Sequence, residues 1–254
     1  MKHVTLPVSL KPVSCNRLIR LGRNNDGGYV VCSNAIQSSS CLLSLGINDD
    51  WSFEESYLKK NKKPVVAYDG SISENIFKKR FFKSLLSGYQ AKNALRLFRV
   101  WRSFKKFIAK VTFHESFVGI RGFEKYISLS EALAQLHLPD GIFIKMDIEG
   151  FEYRLLQEII DNKSRFVGAA IEFHDVDLNI EKIEKFIEDF DQDIVYLNIN
   201  NFSPINGSGI PLTIEVCFSA VSCHGVGKHW SRFIQPNNPH GYEYCISFND
   251  EKKR

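Results

Sequence analysis

The sequence predicts an α/β fold in which helices cover both faces of a mostly parallel sheet. Short apolar runs of strand length alternate with longer segments of helical character along most of the chain. The last two apolar runs, 194–199 and 212–220, are joined by a turn-rich segment without a helix, which predicts one antiparallel strand at the edge of the sheet. With 254 residues, 44% of them hydrophobic, the chain can bury the core of one such domain.

We expect residues 1–254 to form a single domain, with a hairpin extension over about 1–38 and a helical insertion over about 76–110. Apolar runs flank a turn-rich segment in the extension, and Ser128-Leu-Ser-Glu131 matches a helix capping box. Ser52 is a candidate cap of an earlier helix. The predicted strands are 18–21, 28–32, 41–47, 64–70, 109–115, 141–147, 167–173, 194–199 and 212–220, and the predicted helical segments are 51–61, 76–110, 128–137, 148–162 and 181–190.

The sequence shows no membrane-spanning segment and no secretory signal. It contains no run of 18 uncharged apolar residues, and its N-terminus lacks the apolar core of a signal peptide, so we expect a cytoplasmic protein. The six cysteines are scattered without a Cys-x-x-Cys pair. This spacing favours neither a zinc site nor a disulfide framework, and we expect reduced, mostly buried thiols.

A local excess of positive charge lies in residues 76–110, which contain eleven Lys or Arg and no acid. Apolar residues recur there at helical spacing and basic residues fill the positions between them, which predicts a basic amphipathic helix. Such a helix could bind phosphates, an anionic membrane surface or nucleic acid, or it could be a solvated face of the domain.

Two apolar runs end in ionisable residues. The first, 141–147, leads into Asp147, Glu149 and Glu152, and the second, 167–173, leads through Glu172 to His174. Strand side chains alternate, so Glu172 and His174 point the same way. If the strands are parallel neighbours, Asp147, Glu172 and His174 converge on one cation or one substrate hydroxyl. The alternative is that Asp147 only caps a helix.

A strand that ends at Gly46 is followed about 20 residues later by a strand that ends at Asp69 and Gly70. This spacing is typical of nucleoside recognition, in which the glycine admits the ligand and the acid accepts hydrogen bonds from ribose hydroxyls. A Gly-x-Gly-x-x-Gly motif is absent from this region. A nucleoside ligand therefore fits better than a dinucleotide.

The sequence resembles the FkbM family of S-adenosylmethionine-dependent methyltransferases over roughly residues 17–220. The resemblance rests on Asp26-Gly-Gly-Tyr29, Leu43-Ser-Leu-Gly46 with the following Ile-Asn-Asp-Asp-Trp, Tyr68-Asp-Gly70 and Lys145-Met-Asp-Ile-Glu-Gly-Phe-Glu152. It implies a Rossmann-like class I methyltransferase fold with seven strands, the last antiparallel. The cofactor-binding residues that it implies, together with those from the strand ends, are Gly46, Asn48, Asp69, Gly70, His114, Glu115 and Asp147.

Members of that family commonly methylate hydroxyl groups of sugars or natural products, so the resemblance implies O-methylation. Asp147, Glu172 and His174 are the predicted catalytic residues, and they are also the predicted ligands of a divalent metal that would activate the hydroxyl. One imidazole with two carboxylates favours iron(II) or manganese(II) over magnesium. In the alternative mechanism, His174 is the general base and no metal takes part.

The predicted acceptor is a small-molecule sugar hydroxyl, on a nucleotide-linked sugar or a capsular or other surface polysaccharide precursor, whose phosphates the basic segment would bind. The predicted acceptor contacts are Arg23, Asp26, Glu149 and His229. Alternatives are a lipid-linked or natural-product hydroxyl, with 76–110 on a membrane surface, and a nucleoside-binding module without catalysis. We expect nucleic acid not to be a partner, because the Asn/Asp-Pro-Pro-Tyr signature of base methylation is absent. The oligomeric state is left open.

Overall fold

The computed structural model describes residues 2–24, 27–86, 91–119, 122, 124–137, 140–200, 202–222 and 244–249. Short 3-10 turns at Val8–Leu10 and Lys163–Arg165 accompany the main elements. The strands are β1 (Lys2–Pro7), β2 (Leu18–Leu21), β3 (Tyr29–Cys32), β4 (Cys41–Leu45), β5 (Val65–Tyr68), β6 (Thr112–His114), β7 (Phe117–Val118), β8 (Tyr126–Ile127), β9 (Ile142–Met146), β10 (Phe166–Phe173), β11 (Asp193–Ile199), β12 (Ile214–Ser219) and β13 (Tyr244–Asn249). The helices are α1 (Ser33–Ser38), α2 (Ser52–Asn61), α3 (Glu74–Leu86), α4 (Ala91–Ile108), α5 (Leu129–Gln135), α6 (Glu152–Asp161) and α7 (Val176–Phe190).

A seven-stranded sheet forms the centre of the molecule, in the order β11-β12-β10-β9-β4-β5-β6. The strands from β10 to β6 pair in parallel, whereas β12 is antiparallel to both β10 and β11. This arrangement confirms the predicted class I methyltransferase fold. The antiparallel strand differs from the prediction in one respect, because it is inserted between β10 and β11 and does not form the edge.

Two apolar cores lie on opposite faces of the sheet, so helices cover both faces as predicted. One core contains side chains of α5, α6 and α7, and the other contains side chains of α1, α2 and α4. Every residue of the central strands β4, β5 and β9 is buried. Burial on both faces explains why these strands are mostly apolar and do not alternate with polar residues, with buried Ser44 and Lys145 as the exceptions.

The parallel register brings four strand ends to the same level at the carboxyl edge of the sheet. Leu45 pairs with Tyr68 on one side and with Met146 on the other, and Met146 pairs with Ile171. The next residue along each of these strands is one that the sequence singled out: Asp69, Gly46, Asp147 and Glu172. Neighbouring parallel strands are about 4.8 Å apart, so these residues form one row.

Several predicted boundaries are wrong. The basic segment forms two helices, α3 and α4, of which α4 is the predicted basic amphipathic helix. Helix α6 begins at Glu152 instead of 148, because Glu149 and Gly150 adopt positive φ angles of 56° and 95°. Helix α7 begins five residues earlier than predicted. Ser52 does not cap α2, and its hydroxyl accepts a hydrogen bond from the backbone of Arg23 instead.

Other local predictions are confirmed. Ser128 and Glu131 form a complete capping box at α5, and β2 pairs with β3 as an antiparallel hairpin. Outside the hairpin, β1 pairs in parallel with β13, which joins the two ends of the chain. None of the described cysteines forms a disulfide bond; four are buried and one, Cys245, is exposed. No helix in the described ranges is both long enough and apolar enough to cross a membrane.

Candidate active site at the strand ends

A cavity of about 970 Å³ opens at the carboxyl edge of β4, β5, β9 and β10, where the row of strand ends lies. Its walls are formed by residues 46–50, 68–69, 71–72, 117–118, 126, 145, 147–149, 151, 172, 174, 200 and 202–204, among others. A volume of this size is at the upper end of the range for ligand pockets, so it has room for a cofactor together with an acceptor. We call it the strand-end cavity.

Gly46 lies in this wall, and a contact between two loops requires a glycine at this position. Its φ angle is +75°, and a Cβ atom at this position would lie 1.8 Å from the backbone oxygen of Asp147. The missing side chain therefore allows the loops after β4 and β9 to touch each other. Lys145 fixes this contact, because its ammonium group donates a hydrogen bond to the Gly46 oxygen.

Asp69 organises the loop after β4. One of its oxygens, Oδ2, accepts hydrogen bonds from the backbone N–H groups of Ile47 at 2.9 Å and Asn48 at 2.7 Å. The other, Oδ1, accepts from the backbone and the hydroxyl of Ser71, at 2.7 and 2.6 Å. These bonds use the four lone-pair sites of the carboxylate. The predicted contact with ribose would have to share sites that the loop already uses.

An aromatic wall that the sequence reasoning missed closes the same end of the cavity. Phe117 and Tyr126 line it, with ring centroids 4.9 Å apart. Gly70 supports this wall, since a Cβ atom there would lie 2.4 Å from the Phe117 ring. Two of the predicted cofactor-binding residues, His114 and Glu115, do not line the cavity; the ring of His114 is stacked on Tyr68, with centroids 4.5 Å apart. Strands β7 and β8 are only two residues long, which left little pattern to find.

Asp147, Glu172 and His174 meet at the other end, as the strand register requires. His174 Nε2 lies 3.9 Å from Glu172 and 3.5 Å from Glu149, and the Lys145 ammonium lies 3.8 Å from Asp147. Asp147 does not cap a helix, because α6 begins five residues later with Phe151 as its cap. We call Asp147, Glu149, Glu152, Glu172 and His174 the acid–histidine cluster.

Tyr29 completes this cluster from the N-terminal hairpin, and the sequence reasoning assigned it no role. Its hydroxyl oxygen lies 3.1 Å from Asp147 Oδ2 and 3.0 Å from Glu172 Oε2, and the side chain is buried. Its own burial, followed by the charges of Asp147 and Glu172, holds the pKa of Tyr29 well above its ordinary value. The phenol therefore keeps its proton and can bridge the two carboxyl groups.

Glu152 orients His174. One oxygen of this fully buried carboxylate lies 3.1 Å from His174 Nδ1 and also accepts from the backbone of Ile148 and Gly150. With Nδ1 directed at Glu152, Nε2 faces the cavity. Burial alone would lower the pKa of His174, but the bond and charge of Glu152 and the charges of Glu172 and Asp147 raise it to about 9.

Glu172 is held from two sides. Tyr29 contacts one oxygen, and the side-chain amide of Asn200 donates to the other at 3.0 Å. It also lies opposite the buried Glu215 in the β10–β12 register. Burial raises the pKa of Glu172 to about 8, and the charges of Asp147 and Glu215 act in the same direction. The surroundings therefore favour a neutral Glu172.

The residues placed best to hold a metal ion differ in one member from the predicted set. Ligand atoms of Asp147, Glu149 and His174 lie within 4.8 Å of one another. Glu149 takes the place of Glu172 in this group, and the two oxygens of Glu172 contact Tyr29 and Asn200. Glu149 reaches the group through its left-handed backbone conformation in the turn before α6.

Of the predicted acceptor contacts, Arg23 and Glu149 line the cavity, and Arg23 lies 3.4 Å from Asp50. Asp26 and His229 are outside the described residues. Phe202, which the sequence reasoning did not select, also lines the cavity and is 56% exposed. It follows β11, so it stands on the same side as the acid–histidine cluster.

Comparisons with known proteins show the fold and nothing finer. Neither a family model nor a curated protein matches this sequence. Among solved structures, precorrin-6y C5,15-methyltransferase from Geobacter metallireducens is 15% identical, over 74% of this chain and 85% of that chain, with a TM-score of 0.39. A Streptococcus pneumoniae protein described as a tRNA (m1A22) methyltransferase, in complex with S-adenosyl-L-methionine, is 12% identical over 76% and 72%, with a TM-score of 0.37. The Methanococcus jannaschii fibrillarin pre-rRNA processing protein is 12% identical over 73% and 68%, with a TM-score of 0.38.

Two sequence-based expectations change with these findings. The likeness is to methyltransferases of this fold in general, and nothing in it indicates the FkbM family in particular. The expectation that nucleic acid is not a partner is wrong, because proteins with this fold that are described as acting on tRNA or in pre-rRNA processing are among the matches. The absence of the Asn/Asp-Pro-Pro-Tyr signature argues only against methylation of a base, and it does not argue against nucleic acid as a partner.

Proposed function

We propose that this protein is an S-adenosylmethionine-dependent methyltransferase that transfers the methyl group to a sugar hydroxyl. The observation that carries the proposal is the arrangement of the strand-end cavity. A loop held by Asp69 and an aromatic wall form one end, and the acid–histidine cluster forms the other. Both ends belong to one cavity, as a transfer between two bound molecules requires.

The residues at the first end fit the cofactor. Phe117 and Tyr126 offer flat apolar faces for an adenine ring. Asp69 holds the loop after β4 through hydrogen bonds from the backbone of Ile47 and Asn48. S-adenosylmethionine, when bound, supplies an electrophilic methyl group. We expect Asp69 to act mainly through the loop, because its oxygens are already satisfied, and to contact ribose only by sharing one of them.

The residues at the second end fit an acceptor hydroxyl that must lose its proton. His174 Nε2 and the carboxylates of Asp147 and Glu149 converge on one point of the cavity. One imidazole with two carboxylates is a donor set suited to iron(II) or manganese(II). A divalent ion held by these three residues would supply a Lewis acid that lowers the pKa of the hydroxyl. Hydrogen bonds from Tyr29 and Asn200 would hold Glu172 next to these three ligands, outside the ligand set.

The alternative mechanism uses His174 as the general base without a metal. The pKa of about 9 works against it at neutral pH, since a base must first be deprotonated. A methyl-transfer assay separates the two. The protein is incubated with radioactive S-adenosylmethionine and either UDP-sugars or RNA oligonucleotides as acceptors. Each reaction is run with chelated protein and again after manganese(II), iron(II) or magnesium is added back.

We expect chelation to abolish transfer while calorimetry still detects cofactor binding, and manganese(II) or iron(II) to restore transfer better than magnesium. Full activity after chelation would remove the metal from the proposal and leave His174 as the base. A protein that binds no S-adenosylmethionine at all would contradict the proposed function itself. A lipid-linked or natural-product hydroxyl enters the same assay as an alternative acceptor.

A further inference from the structure

We propose that α3 and α4 form a binding surface for single-stranded RNA that leads into the strand-end cavity. The two helices make a basic hairpin. Ring contacts pair Phe77 with Phe104 at 4.8 Å and Phe81 with Phe98 at 5.3 Å, so later residues of α3 meet earlier residues of α4. The helices are therefore antiparallel, and their aromatic side chains hold them together.

The charge of this hairpin is directed outwards. All eleven basic side chains of residues 76–110 are exposed, and that stretch contains no acid. Lys105 lies 3.8 Å from Glu74, which precedes the stretch. The 18 residues of α4 extend the charge over roughly 27 Å at the usual rise of a helix. A surface of this length and sign fits several phosphates of a nucleic-acid strand.

Aromatic and apolar side chains are exposed among these charges. Phe82 is 46% exposed, and its ring lies 5.1 Å from Phe81 and 6.4 Å from Trp101. Binding of single strands combines a positive surface with aromatic rings on which bases stack. Phe82, supported by the two rings behind it, offers such a platform.

The hairpin also reaches the strand-end cavity through Arg80, and this connection favours RNA over a membrane. Arg80 of α3 lies in the cavity wall together with Arg23, Asp147 and His174. Exposed Leu85 and Leu86 at the end of α3 would suit a lipid surface as well. A bilayer, however, cannot follow Arg80 into a cavity, whereas a flexible strand can pass from the hairpin to the acid–histidine cluster. The sugar of the proposed function would then be a ribose of the bound strand, and this part of the inference rests on that proposed function.

The test measures binding of a fluorescein-labelled 20-nucleotide single-stranded RNA by fluorescence anisotropy, from low to physiological salt. The triple variant Arg96→Gln, Arg99→Gln, Arg102→Gln removes three exposed charges of α4. We expect its dissociation constant to rise at least about tenfold and its salt dependence to become shallower by up to about two, at roughly 0.7 per lost phosphate contact. The matched control is Lys59→Gln, Lys60→Gln, Lys63→Gln, which removes the same charge at the exposed end of α2.

Equal RNA affinity in the two triple variants, or no binding by the native protein, would overturn the inference. Binding to vesicles of phosphatidylcholine with 30% phosphatidylglycerol, without binding to RNA, would assign the hairpin to a membrane and overturn it too. The proposed function fails separately, because calorimetry with S-adenosylmethionine tests the cavity, which the three replaced arginines of α4 do not line. If the protein binds RNA but transfers methyl groups only to UDP-sugars, the hairpin is still an RNA-binding surface. The proposal that a ribose of the bound strand is the acceptor would then be wrong.

Discussion

The two ends of the strand-end cavity differ in how their charges are neutralised. At the end formed by β4 and β5, Asp69 accepts four hydrogen bonds from the surrounding loops. At the end formed by β9 and β10, four acids surround one histidine, and Glu152 Oε2 has no hydrogen-bond partner in the described part of the chain. The first end is complete without a ligand, whereas the second has negative charge that a cation would neutralise.

This difference assigns the two ends to two tasks. A preorganised loop binds a cofactor with little further ordering. A cluster of acids around a histidine has perturbed pKa values, which are frequent where a proton must be moved. We therefore expect variants at the first end to change cofactor affinity, and variants at the second to change turnover.

The largest effect is expected for His174→Gln. The substitution removes the imidazole that faces the cavity, whether it binds a metal or moves a proton, and should lower the turnover number about 100- to 10,000-fold. The affinity for S-adenosylmethionine should stay within about twofold. His3→Gln on the exposed side of β1 is the control. A loss of cofactor affinity that matches the loss of turnover would show that the two ends are not separate.

Asp69→Ala is expected to act at the other end. It removes the acceptor for the backbone N–H groups of Ile47 and Asn48, so the loop loses its support. Affinity for S-adenosylmethionine should fall about 10- to 100-fold, as for the loss of 1–3 kcal/mol of hydrogen bonding. Asp161→Ala, at the end of α6, is an exposed control. Calorimetry that gives equal affinities for the two variants would contradict the role of Asp69.

A smaller effect is expected for Tyr29→Phe, which removes the bridge between Asp147 and Glu172 and keeps the ring. Turnover should fall about tenfold, with little change in the Michaelis constant for either substrate. Tyr57→Phe is a matched control, because Tyr57 is a buried tyrosine whose hydroxyl bonds Ser39 away from the cavity. Equal turnover in the two variants would leave Tyr29 with a packing role alone.

The smallest effect is expected on the stability of metal-free protein. The folded-state pKa values of His174 and Glu172 are raised to about 9 and about 8, so the folded chain holds protons that the unfolded chain releases near pH 6.5 and 4.3. Stability should therefore fall as the pH rises through this window. The His174 part is fully present below about pH 6.5 and is lost towards pH 9. Because glutamine does not titrate, the variant His174→Gln lacks the contribution of His174 to the pH dependence of stability.

Melting temperatures measured in chelator at pH 6 and pH 9 test this prediction. The decrease between the two pH values should be smaller by a few degrees in His174→Gln than in His3→Gln. A decrease of the same size in both variants would show that His174 has an ordinary pKa in the folded protein. Manganese(II) should also reduce the decrease in the native protein, if the ion replaces the proton on His174.

The fold and the row of strand ends could be predicted because they depend on local patterns. Buried parallel strands are continuous apolar runs, and the carboxyl ends of such strands carry the site in this class of sheet. The convergence of Asp147, Glu172 and His174 follows from side-chain alternation and from the neighbouring positions of β9 and β10. The presence of one antiparallel strand could also be predicted from the sequence, but its position between β10 and β11 could not.

The rest depends on contacts between distant parts of the chain. Tyr29 reaches Asp147 across more than 100 residues of sequence, and the motif Asp26-Gly-Gly-Tyr29 does not show which residues the tyrosine contacts. The positive φ of Glu149, which brings it to His174 and delays the start of α6, was hidden because the segment resembled a helix. Phe117 and Tyr126 lie in strands too short to recognise. Glu172 contacts Tyr29 and Asn200, which lie far from it in the sequence, so the pattern at the strand end could not indicate these contacts.

The most direct test of the separation between the two ends is calorimetric titration of metal-free protein with S-adenosylmethionine. We expect one binding site per chain, with an affinity that is unchanged within about twofold by manganese(II) or by Asp147→Asn, because the loop held by Asp69 is complete without the acid–histidine cluster. Absence of binding would contradict the assignment of the first end to the cofactor. Binding that appears only with the metal would contradict the independence of the two ends.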